Sequence, residues 1–416
     1  MNVATAAVRV RSPVRHLPDD PARVLADRPG TPEEFDLRVL ICPDKFAGTL
    51  SARHAASAIA DGWRAGAGGA ARGSDRLDLR PLSDGGPGFV DVLDAALSGK
   101  RLPVATVDPL GRPVTGEVLI AGDIAYVESA DACGLHLLSA AERDPLVTSS
   151  YGLGTLISAA ADAGAAEIVI GLGGSATNDA GAGMLSALGA VAVDASGQPL
   201  PRGGAALAAC TDIVGDLAIP PVRLVGATDV DSPLTGLFGA TAVFGPQKGA
   251  SREDVLLLDA ALERFAAVLR DALPGCPANL ASRPGAGAAG GLGAAVLALG
   301  GSVRSGIGLI RDVTGLDEAL DGADLVITGE GSLDDQSLRG KVVAGVAGAA
   351  RDRGVPCVVL AGRSSVGRRD AAAAGITDIY TLVDHFDGDV DRAMAAAEEG
   401  LRALGDRLAR QWGPRP

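Results

Sequence analysis

The sequence predicts an α/β protein in which both chain ends build one parallel, doubly wound sheet. The middle of the chain is predicted to form a second, mixed α/β unit inserted between those ends. Apolar runs rich in β-branched residues alternate with segments of helical periodicity near both ends. The middle instead has short strand-like runs between turn signals, which favours partly antiparallel pairing. Glycines and acidic residues follow the expected strands, as is typical of ligand crevices in open α/β sheets.

The chain of 416 residues is long enough for two or three domains. Residues 1–36 are rich in Pro, Arg and Asp and lack a periodic apolar pattern, so we expect a disordered N-terminal extension. We expect the doubly wound domain to comprise residues 37–86 and 287–416. The inserted α/β domain is expected to comprise residues 87–286.

The expected elements follow from local patterns in chain order. An apolar strand at residues 38–42 leads to a helix that Ser51 caps and that runs to about residue 65. A second strand at 77–80 ends in a loop where Pro87 suits the first turn of a helix. Short strands with turn signals fill residues 102–126. The remaining predictions are helices at 151–163, 179–190, 253–273 and 389–410, and strands at 323–328, 356–361 and 379–383.

The composition limits the classes of partner. The chain is 47% hydrophobic and 21% charged, as is usual for globular proteins. Its formal charge of −14 argues against nucleic acid or an anionic membrane as partner, and 3% aromatic residues argue against base stacking. The five cysteines lack metal-binding spacing and favour a reducing cytoplasm. The sequence leaves open whether the protein forms a homo-oligomer.

The segment 167–184 carries the most information about function. An apolar strand ends in Gly173 and Gly174, and polar residues follow before a helix-like pattern begins. Backbone N–H groups at such a strand–glycine–helix junction can hold a phosphate, with hydroxyl and carboxylate groups adding ligands. The alternative is an ordinary glycine-rich turn with a helix cap. The polar residues of this loop are Ser175, Thr177, Asn178 and Asp179.

Other expected strand ends carry similar chemistry. Phosphoryl transfer requires carboxylates for Mg²⁺, cations for the phosphates and an acid that orients a hydroxyl group. Each loop alone is also explained by ordinary capping, since Asp and Gly are common turn residues. The loops in question are Pro43-Asp44-Lys45, Ser83-Asp84-Gly85-Gly86, Thr228-Asp229-Val230-Asp231, and Thr328-Gly329-Glu330.

Lysine is rare in this chain and has a notable distribution. Of 37 basic residues, only Lys45, Lys100, Lys248 and Lys341 are lysine, and three of them lie in glycine- or aspartate-rich junctions. A compact ammonium group suits a transferring phosphate. The glycine-rich segment 285–293, which contains Gly290 and Gly291, either cradles phosphate or lets two elements pack closely.

Several motifs follow one another in a specific order. They are Pro43-Asp44-Lys45-Phe46, Asp84-Gly85-Gly86, Thr148-Ser149-Ser150-Tyr151-Gly152, Gly173-Gly174-Ser175-Ala176-Thr177-Asn178-Asp179, Asp229-Val230-Asp231-Ser232-Pro233-Leu234, Phe244-Gly245-Pro246-Gln247-Lys248-Gly249, Gly285 to Gly293, and Ile327-Thr328-Gly329-Glu330-Gly331. In this order they resemble the type-1 glycerate kinase family of bacteria, from about residue 37 to about residue 410.

The resemblance implies ATP-dependent phosphorylation of D-glycerate at the 2-hydroxyl group, giving 2-phosphoglycerate. The chemistry of phosphoryl transfer makes Mg²⁺ the expected metal ion. It also implies a Rossmann-like domain formed by both chain ends, an inserted α/β domain, and an active site in the cleft between them. One departure is that Pro87, Gly88 and Phe89 stand where the family usually has Glu-Gly-Thr. This departure keeps open a different small hydroxy acid as substrate, and a third hypothesis is a non-catalytic metabolite sensor.

We therefore expect three groups of site residues. The catalytic group is Asp44, Lys45, Asp84, Asp179 and Lys248. The group that binds the phosphates of ATP is Gly173, Gly174, Ser175, Thr177, Asn178, Gly290 and Gly291. The metal ligands are Asp229, Asp231 and Glu330.

Overall fold

A computed structural model describes residues 37–66, 75–218, 220–338 and 341–412. The predicted N-terminal extension lies outside the described residues. The strands are β1 (Arg38–Ile41), β2 (Arg76–Leu79), β3 (Lys100–Val107), β4 (Pro113–Ala121), β5 (Ile124–Glu128), β6 (Glu167–Gly171), β7 (Val191–Val193), β8 (Asp212–Val214), β9 (Arg223–Ala227), β10 (Ser302–Arg304), β11 (Leu325–Leu333), β12 (Cys357–Ser364) and β13 (Asp378–Thr381).

The α-helices vary from one turn to more than five turns. They are α1 (Ala52–Gly66), α2 (Phe89–Leu97), α3 (Ala130–Cys133), α4 (Tyr151–Asp162), α5 (Ala182–Ala187), α6 (Ala240–Phe244), α7 (Arg252–Ala272), α8 (Ala288–Ala298), α9 (Gly306–Thr314), α10 (Leu316–Leu320), α11 (Val342–Asp352), α12 (Arg368–Ala374), α13 (Leu382–His385), α14 (Val390–Ala395) and α15 (Ala397–Trp412).

The first sheet is parallel throughout and has the strand order β13-β12-β11-β1-β2. Its central strands are apolar because helices cover both faces. Helices α1 and α15 cover one face, and α9 and α11 pack on the other. The prediction of a parallel sheet built from both chain ends is confirmed. The strand order reverses between β1 and β11, where open sheets of this kind form their ligand crevice.

The second sheet has the order β10-β9-β6-β5-β4-β3. Strands β3, β4 and β5 pair antiparallel, while β5, β6, β9 and β10 pair parallel. The predicted mixed character of the middle segment is therefore confirmed. Its own core contains residues of α4, α7 and α8.

The second sheet extends beyond the predicted boundary at residue 287. Strand β10 pairs with β9, and Leu292 and Val296 of α8 pack in the core of the second sheet. The first sheet resumes only with β11. The apolar pattern of α8 predicts that a helix is buried, but the pattern cannot identify the sheet that it covers.

Four predicted elements differ in detail. Strand β11 continues to Leu333 through the segment predicted as a loop, because residues up to Leu333 pair with β12. The helix expected at 179–190 is only α5, and the closing helix is divided into α14 and α15. Pro87 precedes α2 rather than starting it, since Gly88 is the N-cap with a φ of 92°.

No helix in the described part of the chain combines the length and apolar character needed to cross a bilayer. The cytoplasmic location stays a prediction.

Candidate active site

The candidate site lies where loops from the two sheets meet. The loop after β2 packs so closely on the loop after β6 that the second loop needs glycine at the contact. A Cβ atom on Gly173 would lie 2.5 Å from the Cα of Gly86, and one on Gly174 would lie 2.8 Å from the Cδ of Pro87. Contacts this short are not tolerated, so larger residues would separate the loops.

Beside these loops lies a cavity of about 160 Å³, which we call the first cavity. It is bounded by glycine backbone at Gly173 and Gly174 and by side chains of both charge signs. Its polar side chains are Asp84, Ser175, Thr228, Asp229, Gln247, Lys248 and Lys341. A small anion in this cavity would therefore meet two ammonium groups and exposed backbone.

Lys45 lies between two carboxylates. Its Nζ is 3.6 Å from Oδ1 of Asp44 and 3.5 Å from Oδ1 of Asp84. Burial alone would lower the pKa of Lys45, but Asp44, Asp84 and Glu128 together raise it. Burial alone would likewise raise the pKa of Asp84, but Lys45 and Lys341 outweigh burial and lower it. Both groups are therefore charged at neutral pH.

Asp44 and Glu330 lie side by side at the point where the strand order reverses. The backbone N–H of Asp44 donates to the carbonyl of Gly329, at a distance of 2.8 Å. Burial raises the pKa of Asp44 to about 6, although Lys45 opposes the shift. Burial also raises the pKa of Glu330 to about 7, and Asp44 adds to this shift. Oε1 of Glu330 is buried without a hydrogen-bond partner among the described residues.

Lys248 is almost completely buried, with 2% of its surface exposed, yet it borders the first cavity. Its Nζ donates to Oγ of Ser175 at 3.0 Å and to the carbonyl of Thr177 at 2.7 Å. Burial lowers the pKa of Lys248 to about 8, against the opposing effect of Asp179. The short helix Pro246–Lys248, which lies between Gly245 and Gly249, thus places one buried ammonium group at the cavity wall.

Asp179 does not lie where we expected it. Its side chain is completely buried. Oδ2 accepts hydrogen bonds from the N–H and Oγ–H of Ser150 and from the N–H of Gly183, and Oδ1 accepts from Gly181 N–H. It is also not among the described residues that line the first cavity. Asp179 therefore connects the start of α4 and α5 to the Gly173–Asp179 loop through hydrogen bonds. It does not lie beside the cavity where a hydroxyl group would react.

Because Asp179 is buried among hydrogen-bond donors, its replacement should lower the stability of the fold rather than the rate of the chemical step. We expect Asp179→Ala to lower the free energy of unfolding by about 2–4 kcal/mol, because buried N–H donors lose their acceptor. Chemical denaturation measures the change. Asp194→Ala is the control, because Asp194 accepts similar hydrogen bonds in an exposed turn, and its loss should cost much less. Unchanged stability with kcat abolished would instead return Asp179 to the catalytic group.

Thr177, Asn178, Gly290 and Gly291 are also withdrawn from the cavity. Thr177 and Asn178 are completely buried, and Nδ2 of Asn178 donates to Oγ1 of Thr241 at 2.8 Å. A Cβ atom on Gly290 would overlap the carbonyl of Thr177. The two glycines therefore allow close packing of α8 on the Gly173–Asp179 loop, which is the second alternative that the sequence left open.

The predicted metal ligands are not assembled. Asp229 borders the first cavity, but it also accepts hydrogen bonds from Oγ of Ser305 at 2.6 Å and from Ile307 N–H at 3.0 Å. Asp231 is exposed and is not among the described residues of the cavity wall, and Glu330 lies beside Asp44. No group of three potential metal ligands occurs among the described residues.

The sequence analysis missed two residues near the site. Lys341 borders the first cavity and contributes to the low pKa of Asp84. Glu128 ends β5 and accepts the N–H of Gly88 at 2.9 Å, which fixes the turn before α2. Burial raises the pKa of Glu128 to about 7, and Asp131 adds to this shift. The signal for Lys341 was the scarcity of lysine, and the signal for Glu128 was an acid at a strand end.

Comparisons with known proteins show which family this chain resembles. A family model described as the glycerate kinase family matches residues 39–413. A glycerate kinase of Halalkalibacterium halodurans is 40% identical over 377 residues, covering 89% of this chain and 97% of that protein. A glycerate 2-kinase of Escherichia coli is 41% identical over 390 residues, covering 90% and 100%. The crystal structure of a putative glycerate kinase 2 from Salmonella typhimurium LT2 has a TM-score of 0.72 at 38% identity, covering 90% and 98%.

Proposed function

The chain belongs to the glycerate kinase family, and from this premise we propose that it transfers the γ-phosphoryl group of ATP to D-glycerate. We propose the 2-hydroxyl group as acceptor, so that the products are 2-phosphoglycerate and ADP. The observation that carries the proposal is the first cavity, where Lys248 and Lys341 face Asp84 beside glycine backbone. That combination suits a small acid that receives a phosphoryl group.

Each group has a role in this scheme. Lys248, Ser175 and the backbone of Gly173 hold the carboxylate of D-glycerate. Asp84 accepts the proton of the hydroxyl group as its oxygen bonds to the γ-phosphorus. The bond from that phosphorus to the β–γ bridging oxygen breaks, and ADP leaves with the electron pair. Lys45 and Lys341 neutralise the charge on the transferred group.

Mg²⁺ fits this scheme as a partner of the nucleotide. Mg²⁺ typically takes one or two protein carboxylates and completes its coordination with phosphate oxygens and water. Of the three predicted ligands, Asp229 is the one on the cavity wall, so Asp229 would hold the ion. When bound, Mg²⁺ supplies positive charge to the phosphates.

The test is ADP release from Mg-ATP with and without D-glycerate, with the product offered directly to enolase. Glycerate-dependent ADP followed by immediate enolase turnover is the expected result. Glycerate-dependent ADP release without enolase turnover would indicate that the product is 3-phosphoglycerate. No glycerate-dependent ADP would overturn the proposal.

The departure at residues 87–89 was the reason to consider another hydroxy acid. Among the described residues, the wall of the first cavity includes neither Pro87 nor Phe89, and Phe89 is completely buried. Neither of these two residues therefore lines the proposed acceptor site, although Pro87 packs behind Gly174 of its wall. We expect D-glycerate to have the highest kcat/KM in a panel of small hydroxy acids. A better acceptor in that panel would favour the alternative.

The pKa values predict a bell-shaped dependence of kcat/KM on pH. Activity should rise as pH passes the pKa of Asp44, about 6, because the ionised carboxylate holds Lys45 in place. It should fall as pH rises above the pKa of Lys248, about 8, because the ammonium group then loses its proton. A pH profile of kcat/KM for D-glycerate measures both limbs. An alkaline limb that persists in Lys248→Met would contradict its assignment to Lys248.

A further inference from the structure

A second cavity has Asp44 and Lys45, two of the expected catalytic residues, on its wall. Its volume is about 490 Å³, and we call it the second cavity. The chain from Asp44 to His54 forms one wall, and the segment from Pro87 to Val92 forms part of the other. It opens beyond the carboxyl end of β1, beside the point where the strand order reverses.

The volumes of the two cavities indicate which substrate each could hold. Sites for nucleotides and other ligands of that size usually enclose about 300–1,000 Å³. The first cavity has about 160 Å³, enough for a small acid but too small for a nucleoside as well. The second cavity, at about 490 Å³, falls within the usual range.

The two cavities meet at the groups that would contact the transferred phosphoryl group. Asp84 lines the first cavity, and Asp44 and Lys45 line the second. Nζ of Lys45 lies 3.5 Å from Oδ1 of Asp84, which joins the two walls. A Cβ atom on Gly86 would lie 3.0 Å from Oδ1 of Asp84 and 3.2 Å from this Nζ, so a side chain at this position would crowd the ion pair. A phosphate chain that starts in the second cavity therefore reaches Lys45 before it reaches the acceptor.

The wall of the second cavity has the mixed character that a base and a ribose require. Leu50 and Pro87 provide apolar surface. Ser51 and His54 provide polar groups, with Oγ of Ser51 3.1 Å from Nδ1 of His54. Such pockets are mainly apolar with a few polar groups that fix orientation.

We propose that the second cavity is the nucleoside subsite and that the first cavity receives the acceptor acid. This inference rests on the proposed function. A remote cavity of about 480 Å³ beside α7 has a similar size. Its wall carries one acidic and one basic side chain, Glu263 and Arg270. No ion pair among the described residues joins this wall to the first cavity in the way that Lys45 joins the second cavity to Asp84.

The test fills each large cavity with one indole ring. Ala47 and Ala278 are both exposed alanines, and they line the second and the remote cavity respectively. We expect Ala47→Trp to raise the Kd for Mg-ADP at least about tenfold, because the ring occupies the space of the nucleoside. Ala278→Trp should leave that Kd unchanged. Isothermal titration calorimetry measures both, and a thermal melt confirms that each variant is folded.

The outcomes separate the inference from the proposed function. If the wild-type protein does not bind Mg-ADP or Mg-ATP, the proposed function fails. If the wild type binds and Ala47→Trp binds equally well, or if Ala278→Trp is the weakened variant, the subsite assignment is overturned. If Ala47→Trp does not fold, photolabelling of the wild type with 2-azido-ADP decides. Label on the peptide containing residues 46–54 supports the assignment, and label at 278–282 refutes it.

Discussion

Asp84→Asn should lower kcat for D-glycerate by about 10²–10⁴ while the protein stays folded. Asn keeps the size of the side chain and an oxygen for the Gly86 N–H, which now donates to Oδ1 of Asp84 at 3.1 Å. The variant loses the negative charge that pairs with Lys45 and accepts the hydroxyl proton. The loss should therefore appear in kcat more than in the KM for D-glycerate. Steady-state kinetics with D-glycerate and Mg-ATP measures both constants.

The control for this prediction lies on the strand before the loop. Asp78 is an exposed residue of β2 that pairs with Arg80 at 3.1 Å, away from the first cavity. Asp78→Asn also removes one negative charge, six residues before Asp84 in the chain. Exposed ion pairs contribute little, so this variant should keep kcat within about threefold of the wild-type value. If Asp84→Asn behaves like Asp78→Asn, then Asp84 does not orient the hydroxyl group.

The sequence identified the strands of the first sheet because their chemistry is simple. The covered part of a strand with helices on both faces must be apolar, as residues 39–41 of β1 and 325–327 of β11 are. Loops that follow such strands reach one edge of the sheet, so Asp44 and Lys45 could be placed near a ligand from the sequence alone. The structure brings these side chains together, with Lys45 at 3.5 and 3.6 Å from its two carboxylates, and their role at a ligand stays a prediction.

The same reasoning fails for Asp179 because a residue type does not reveal its direction. An aspartate after a strand can face a ligand, or it can accept hydrogen bonds from buried N–H groups. Asp179 does the second, and only the positions of Ser150 and Gly183, one of them remote in sequence, distinguish the two cases. Asp229 combines both situations, since it borders the cavity and also caps α9.

The glycines of α8 illustrate a second limit. A glycine-rich run predicts that something approaches the backbone closely, but it does not predict whether that partner is a phosphate or another part of the chain. At Gly290 the partner is the carbonyl of Thr177. At Gly173 it is the loop after β2, which leaves the neighbouring backbone at the edge of the first cavity.

Lys248→Met should lower kcat/KM for D-glycerate by about 10²–10³, a loss similar to that of one positioned donor in a transition state. Met has a similar length and no charge, so it fills the buried space of the Lys248 side chain. The decrease in kcat/KM then measures the contribution of the ammonium group. Lys248→Arg should not restore activity, because the larger guanidinium group cannot adopt the short contacts to Ser175 and Thr177.

Lys100→Met is the matched control for this change. Lys100 is exposed at the start of β3, so its loss removes an equal charge outside the cavity and should leave kcat/KM unchanged. Lys248→Met also replaces a group whose pKa burial lowers to about 8, and a buried ammonium group with a lowered pKa weakens the folded state below that pH. This effect offsets the loss of the hydrogen bonds to Ser175 and Thr177, so the variant should stay folded at pH 7 while having lost activity. Lower stability together with full activity in the folded fraction would show that Lys248 serves the fold and not the acceptor acid.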